Sequence, residues 1–158
     1  MDTVTPLVRS FVMSRVKSKR NRSTEWRLRG LLVRRGLRGW EVNPEDLPGA
    51  PDFVFRAERV VIFTDGCFWH GCPRCKKIPS SNVSYWDGKI SKNRKRDKAT
   101  SAELRRQRWT VLRFWEHDLV SLDVVAHRIE KALYSSQNAS RFPNGSGRPD
   151  MIESSRPS

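Results

Sequence analysis

The chain has 158 residues, with 31 Lys and Arg against 17 Asp and Glu, a formal net charge of +14. Hydrophobic residues at 37% and aromatics at 9% give enough apolar surface for one packed domain and exclude a wholly disordered chain. No stretch approaches the roughly 20 continuous apolar residues of a membrane-spanning helix, so the excess charge points to a polyanion rather than a bilayer, foremost nucleic acid.

The run MSRVKSKRNR over 13–22 is rich in basic side chains with few apolar ones, and residues 1–22 read as a solvated basic arm. They lack the apolar core of a secretory signal, so an intracellular location is expected. Ser23 and Thr24 then offer an N-cap, Glu25 falls in the first turn, Leu28, Leu31 and Leu32 share a face, and Gly36 supplies a stop. Three short runs rich in β-branched and aromatic residues follow, Trp40–Val42, Asp52–Phe55 and Val60–Thr64, separated by NPEDLPG and RAER. The third, VVIFT, is continuously apolar, as expected of a central strand buried on both faces. A basic helix from about Trp86 to Arg108, a strand over Trp109–Trp115 and a closing helix over Val120–Tyr134 complete the order. This predicts an α/β domain over residues 23–134, a mixed sheet with helices on either side, followed by a disordered polar tail over 135–158.

The chemistry gathers around DGCFWHGCPRC. Cys67, Cys72 and Cys75 crowd too closely for a disulfide scaffold but carry metal-ligand spacing, Cys72-x2-Cys75 being that of a zinc knuckle. Tetrahedral Zn2+ needs a fourth ligand. His117, just after the strand VLRFWE, is the best candidate; His70 lies inside the turn, and His127 sits in the last helix on no evident site. Such an ion is structural, not catalytic.

Asp52 stands at the mouth of a strand, where a carboxylate can hold Mg2+ against a phosphate, although a lone acid there is more commonly a plain surface group. The strand ending Thr64-Asp65-Gly66 brings oxygen ligands, and His70 is suited to take a proton from water at neutral pH. Phe68 and Trp69, adjacent in a tight turn, cannot both face one core, so an outward aromatic, with Trp86 as a second element, is expected to wedge between base steps. The alternative for Trp86 is an anchor of its helix.

The segments LPGAPDFVF, TDGCFWHG, YWDGKISKNRKRD and WTVLRFWEHDL, in that order, resemble the very short patch repair (Vsr) endonucleases. The resemblance implies a restriction-endonuclease-like fold and a Mg2+-dependent nick in one strand of double-stranded DNA beside a T:G mismatch. A single nick needs only one active site, so a monomer is the simpler expectation; the expected location is the bacterial cytoplasm, associated with the nucleoid, with mismatch-repair proteins as possible partners. Carried over by position, Asp52 is the metal-binding aspartate, Thr64 completes the Mg2+ site, His70 activates water, and Glu25 lies near the active site. Phe68, Trp69 and Trp86 fall on intercalating aromatics, and Lys89 and Asn93 on positions near the mismatched pair. Two departures stand out: Asp65 replaces a histidine that assists catalysis, and GCPRC with His117 replaces the usual zinc ligands. Two rival functions remain open from the residues, a non-catalytic zinc-stabilised DNA-binding module and a nuclease of the same fold that cuts matched DNA.

Overall fold

The computed structural model describes residues 24–75 and 82–141. The basic arm over 1–22 and the end of the chain after 141 lie outside the described residues. In chain order the elements are helix α1 over 24–34, strands β1 Trp40–Val42, β2 Phe53–Phe55 and β3 Val60–Asp65, helix α2 Val83–Arg106, strand β4 Thr110–Trp115, a 3-10 turn Asp118–Val120 and helix α3 Leu122–Arg141.

The four strands lie in sequence order in one sheet. β1, β2 and β3 form an antiparallel meander, and β4 joins β3 in parallel after the chain has crossed over through α2. The period-2 alternation of side chains divides the core. Phe53, Phe55, Val60, Ile62 and Phe114 pack on one face with Leu28 and Leu32 of α1 and Val125 and Ile129 of α3. Val54, Val61 and Phe63 pack on the other with Leu104 of α2. All six residues of β3 are buried, the first five as the apolar run VVIFT predicts, and each of the apolar side chains Val60 to Phe63 contributes about 1.5–3 kcal/mol by leaving water.

The helix ends follow local chemistry. Gly36, at φ 67, closes α1 with Gly36 N–H donating to Val33 O and Leu37 N–H to Leu32 O, a Schellman motif. α2 ends the same way on a non-glycine residue, Arg108 at φ 63, with Arg108 N–H to Arg105 O and Trp109 N–H to Leu104 O.

Several boundaries shift by a residue or two: β2 begins at Phe53 rather than Asp52, β3 runs on to Asp65, α2 ends at Arg106 rather than Arg108, β4 begins at Thr110 rather than Trp109 and α3 at Leu122 rather than Val120. Two helix ends move further. α2 begins at Val83, ahead of the expected Trp86. α3 runs on to Arg141, so residues 135–141 are helical rather than disordered tail. The stretch SSQNASR contains no breaker before Pro143, and Gln137 Nε2 donates to Glu58 Oε1 at 3.3 Å, giving the extension a tertiary contact. Their polar composition suggests a disordered tail, yet such residues continue an established helix at little cost.

The topology places the site. β3 and β4 are parallel and β2 runs against them, so the start of β2, the ends of β3 and β4 and their following loops meet at one edge of the sheet. Gly49, at φ 77, lets the segment before β2 approach α2 so closely that a Cβ there would stand 2.4 Å from Thr100 Cγ2.

Candidate active site and metal centre

The loop after β3 folds back on itself. Cys72 N–H donates to Cys67 O at 2.9 Å and His70 N–H to Gly66 O at 3.2 Å, bringing three sulfurs to one side. His117, just past β4, meets them through Nδ1, which lies 3.2 Å from Cys67 Sγ, 3.4 Å from Cys75 Sγ and 3.7 Å from Cys72 Sγ. The four donor atoms lie within 4.8 Å of one another. Bonds of about 2.3 Å to sulfur and 2.0 Å to nitrogen in a tetrahedron set donors roughly 3.5 Å apart, so the cluster fits Zn2+. Burial pushes the Cys67 thiol up to about 12. Burial also opposes ionisation of Cys72, but hydrogen bonds from the backbone of Cys75 and Arg74 outweigh it and set that thiol below its usual value. Asp118 orients the ligand: Oδ1 lies 3.3 Å from His117 Nε2, while Oδ2 accepts from Trp115 N–H at 2.8 Å. His127 is exposed on α3, away from this group.

The second cluster forms where β2 and β3 part. Asp52 Oδ2 accepts from Thr64 N–H at 2.6 Å and from Thr64 Oγ1 at 2.9 Å. The pairing of Phe53 with Ile62, continued by two residues, sets Pro51 opposite Thr64. Asp65 O accepts from Glu116 N–H on the β4 side, so strand alternation turns the polar groups of Thr64 toward β2, where Pro51 has no N–H to offer. Asp52 takes the place of that rung for the Thr64 N–H, and the Thr64 carbonyl is left without a donor from Pro51. Burial raises the pKa of Asp52 against the two bonds from Thr64, and the charges of Glu25 and Asp65 raise it further. A carboxylate and a carbonyl in a negative, half-buried corner fit a hard divalent cation.

His70, Asp65 and Asp97 lie beside this corner. His70 Nδ1 is 2.5 Å from Asp97 Oδ2 and 3.6 Å from Asp65 Oδ1. Arg113 of β4 grips both oxygens of Asp65, at 2.6 and 2.7 Å. Burial works against the charge of Arg113, but the bond and charge of Asp65, with Asp97 and Asp52 behind it, hold its pKa above the ordinary value. A cleft of about 1020 Å³ leads from this group along α2, past Arg94, Lys95, Lys98 and Arg105.

The aromatics form one cluster. Phe68 meets Trp69 and Trp86 edge-on at 5.0 and 5.2 Å, and Trp69 meets Trp86 at 6.0 Å. Trp69 and Trp86 are buried and Phe68 is half-buried, while Tyr85 packs on Trp86 and stands 58% exposed. Asn93 Nδ2 donates to Trp69 O at 2.9 Å, and Lys89 Nζ stands over the Tyr85 ring. The indole Nε1 of Trp69 is buried with no acceptor among the described residues.

Asp52, Thr64, Asp65 and His70 are thus brought together, with Glu25 near enough for its charge to act on Asp52. Asp97, Arg113 and Asp118 escape sequence reading, although each left a trace. Asp97 is the lone acid in NRKRDK, Arg113 the lone charge in the apolar strand TVLRFW, and Asp118 directly follows a ligand histidine.

Comparison with known proteins identifies the family. A family model, DNA mismatch endonuclease Vsr, matches residues 1–77. The Type II nicking enzyme V.XorIIP of Xanthomonas oryzae pv. oryzae is 39% identical over 134 residues, 84% of this chain and 96% of that protein. The chain belongs to the Vsr family. The DNA mismatch endonuclease Vsr of Escherichia coli is 41% identical over 104 residues, 65% of each chain, and the Type II nicking enzyme V.NmeDIP of Neisseria meningitidis serogroup C is 34% identical over 145 residues, 90% of this chain and 97% of the relative. As a Vsr family member the chain is a DNA endonuclease, which removes the non-catalytic DNA-binding module. Among the described residues, no helix of this Vsr protein is long and apolar enough to cross a membrane.

Proposed function

We propose that this Vsr protein is a Mg2+-dependent mismatch endonuclease of restriction-endonuclease-like fold that nicks one strand of duplex DNA beside a T:G pair. The observation that carries the reading is the juxtaposition of the Asp52–Thr64 corner with a histidine whose Nδ1 is held by a carboxylate. Asp52 and the Thr64 carbonyl would hold the Mg2+, which supplies Lewis-acid stabilisation of charge on the phosphate and the leaving oxygen. Asp97 keeps the His70 proton on Nδ1, so Nε2 carries the lone pair that accepts a proton from the attacking water. Glu25 and Asp65 add negative charge that favours a bound cation over a protonated Asp52. The four-ligand cluster would hold Zn2+ as a structural ion.

Selection of the site rests on shape. A wobble pair resists distortion less than a matched pair, so a wedge formed by the half-buried Phe68, seated on the buried Trp69 and Trp86, meets a lower cost there. Lys89 and Asn93 flank that cluster on α2 and support a role near the mismatched pair. The basic side chains along the cleft suit a phosphate backbone. A single nick needs one such site, so the working unit is a monomer in the bacterial cytoplasm, acting on the nucleoid.

The test is cleavage of end-labelled duplexes, matched or with a central T:G pair, in Mg2+ and in EDTA. Nicking of only the T strand, lost in EDTA, is expected. Cleavage of both strands of matched DNA would overturn the mismatch reading and assign a restriction-type activity instead.

A further inference from the structure

The ligand atoms of Asp65, His70 and Asp97 lie within 4.8 Å of one another, a grouping able to hold a cation. The protein supplies its own cation there. Arg113 pairs with Phe63 across the β3–β4 ladder, and its guanidinium lies 4.7 Å from that ring. Nε and Nη2 donate to the two oxygens of Asp65, Nη1 donates to Ser101 Oγ at 3.1 Å and to Asp97 O at 3.3 Å, and Nη2 lies 3.6 Å from Asp97 Oδ1. One side chain thereby ties β3, β4 and α2 together.

His70 Nδ1 has two carboxylates beside it, Asp97 at 2.5 Å and Asp65 at 3.6 Å. Which one holds it decides where the ring points. The guanidinium fork draws on both oxygens of Asp65 and holds that carboxylate 3.6 Å from Nδ1, beyond hydrogen-bond range, while Asp97, contacted by the same group, takes the bond. We propose that Arg113 is a positioning residue for the nicking reaction, an internal cation that separates the roles of Asp65 and Asp97 and so fixes the orientation and tautomer of the His70 ring. The inference rests on His70 acting as the proton acceptor of the proposed function. It also explains why an aspartate can stand at position 65: the charge is matched from β4.

The test compares Arg113→Met, Arg113→Lys and Arg113→Ala with wild type in the full chain. Single-turnover nicking, DNA affinity, thermal melting and long-range 1H–15N spectra of the His70 ring are read together. Arg113→Met is expected to lower the nicking rate about 10–100-fold, the scale of a misplaced catalytic group, with DNA affinity changed less than about 3-fold. Arg113→Lys is expected to stay low, since a point charge cannot fork both oxygens of Asp65. Added guanidinium should restore several-fold activity to Arg113→Ala where ammonium does not. The His70 spectrum should change from one Nδ1–H tautomer to a mixture in Arg113→Met. An unchanged rate would overturn the proposal, as would a lost rate with an unchanged His70 spectrum and no guanidinium rescue, which marks a purely structural residue. Should Arg113→Met not fold, Asp65→Asn decides: several-fold slower nicking supports the proposal and wild-type nicking overturns it. If the wild type nicked no duplex, the proposed function would fall, while the His70 spectra would still show whether Arg113 sets the ring.

Discussion

Replacing Asp97 by Asn tests the reading of His70 with almost no change in volume. In the wild type, Asp97 Oδ2 accepts from His70 Nδ1, while Oδ1 faces Arg96 at 3.4 Å and Arg113 at 3.6 Å. An Asn side chain must choose. Its oxygen is drawn toward the two arginines, which leaves its NH2 facing His70. An NH2 donates, so Nδ1 must become the acceptor and the ring proton moves to Nε2, the atom meant to receive the proton of water. The acid–base contribution is then lost, a factor of about 10²–10⁴ in rate, or roughly 3–5 kcal/mol of barrier at 1.36 kcal/mol per tenfold. Asp97 is 17% exposed, so solvent cannot readily take over its role. The assay is single-turnover nicking of a duplex that the wild type cuts, with DNA affinity and melting temperature measured on the same samples. A rate within about 3-fold of wild type, in a folded protein with normal affinity, would refute the assignment of His70 as proton acceptor.

Other outcomes follow from the same geometry. Asp52→Asn should abolish nicking yet raise thermal stability at neutral pH. The folded-state pKa of Asp52 is raised by burial and neighbouring acids, so the folded state binds more protons than the unfolded one and loses stability as pH climbs through that window; melting curves from pH 4 to 8 check the sign. Purified protein should contain one zinc, and Cys72→Ser should reduce metal content and melting temperature together. Since Cys67 has its thiol pushed up to about 12 without metal, zinc uptake near pH 7 should release protons, measurable by calorimetry in buffers of different ionisation enthalpy. Arg108→Gly should stabilise the protein by up to about 1 kcal/mol, because Arg108 holds the left-handed position of a Schellman cap at φ 63, and the melting temperature should rise about 2–4 °C with unchanged nicking.

The parts legible in the sequence are those written in local pattern. β3 reads from an unbroken apolar run, the end of α1 from Gly36, and the zinc cluster from cysteine spacing plus the one histidine that parallel pairing of β3 and β4 carries to the same edge. Long-range pairing hides the rest. Asp97 and His70 are separated by a loop and half of α2, and only the packing of that helix beside the β3 end makes them partners. Arg113 reads as a charge that ought to leave the apolar strand, whereas it is retained because Asp65 sits diagonally across the ladder. The aromatics show the same limit: adjacency suggests that Phe68 and Trp69 cannot both face one core, yet their rings meet at 5.0 Å in one cluster with Trp86, Trp69 buried and Phe68 half-buried.

One loop carries both the four-ligand cluster and His70. His70 lies between Cys67 and Cys72, and its backbone is held by Gly66 O while Cys72 closes on Cys67 O. Gly71, at φ 62, is pressed so near Ile90 that a Cβ would stand 2.4 Å from Cγ2, which seats the loop on α2 next to Asp97. Left unpinned, each residue of that loop would regain about 1–2 kcal/mol of conformational freedom, comparable with the net value of the single His70–Asp97 hydrogen bond. The bond alone cannot order the loop. On the proposed function, a Zn2+ held by the four-ligand group would fix the backbone before Asp97 selects the ring orientation, so an ion with no chemical role would still control the rate. Partial loss of zinc should accordingly slow nicking before it unfolds the sheet, whose core lies on α1, α3 and Leu104 rather than on the loop.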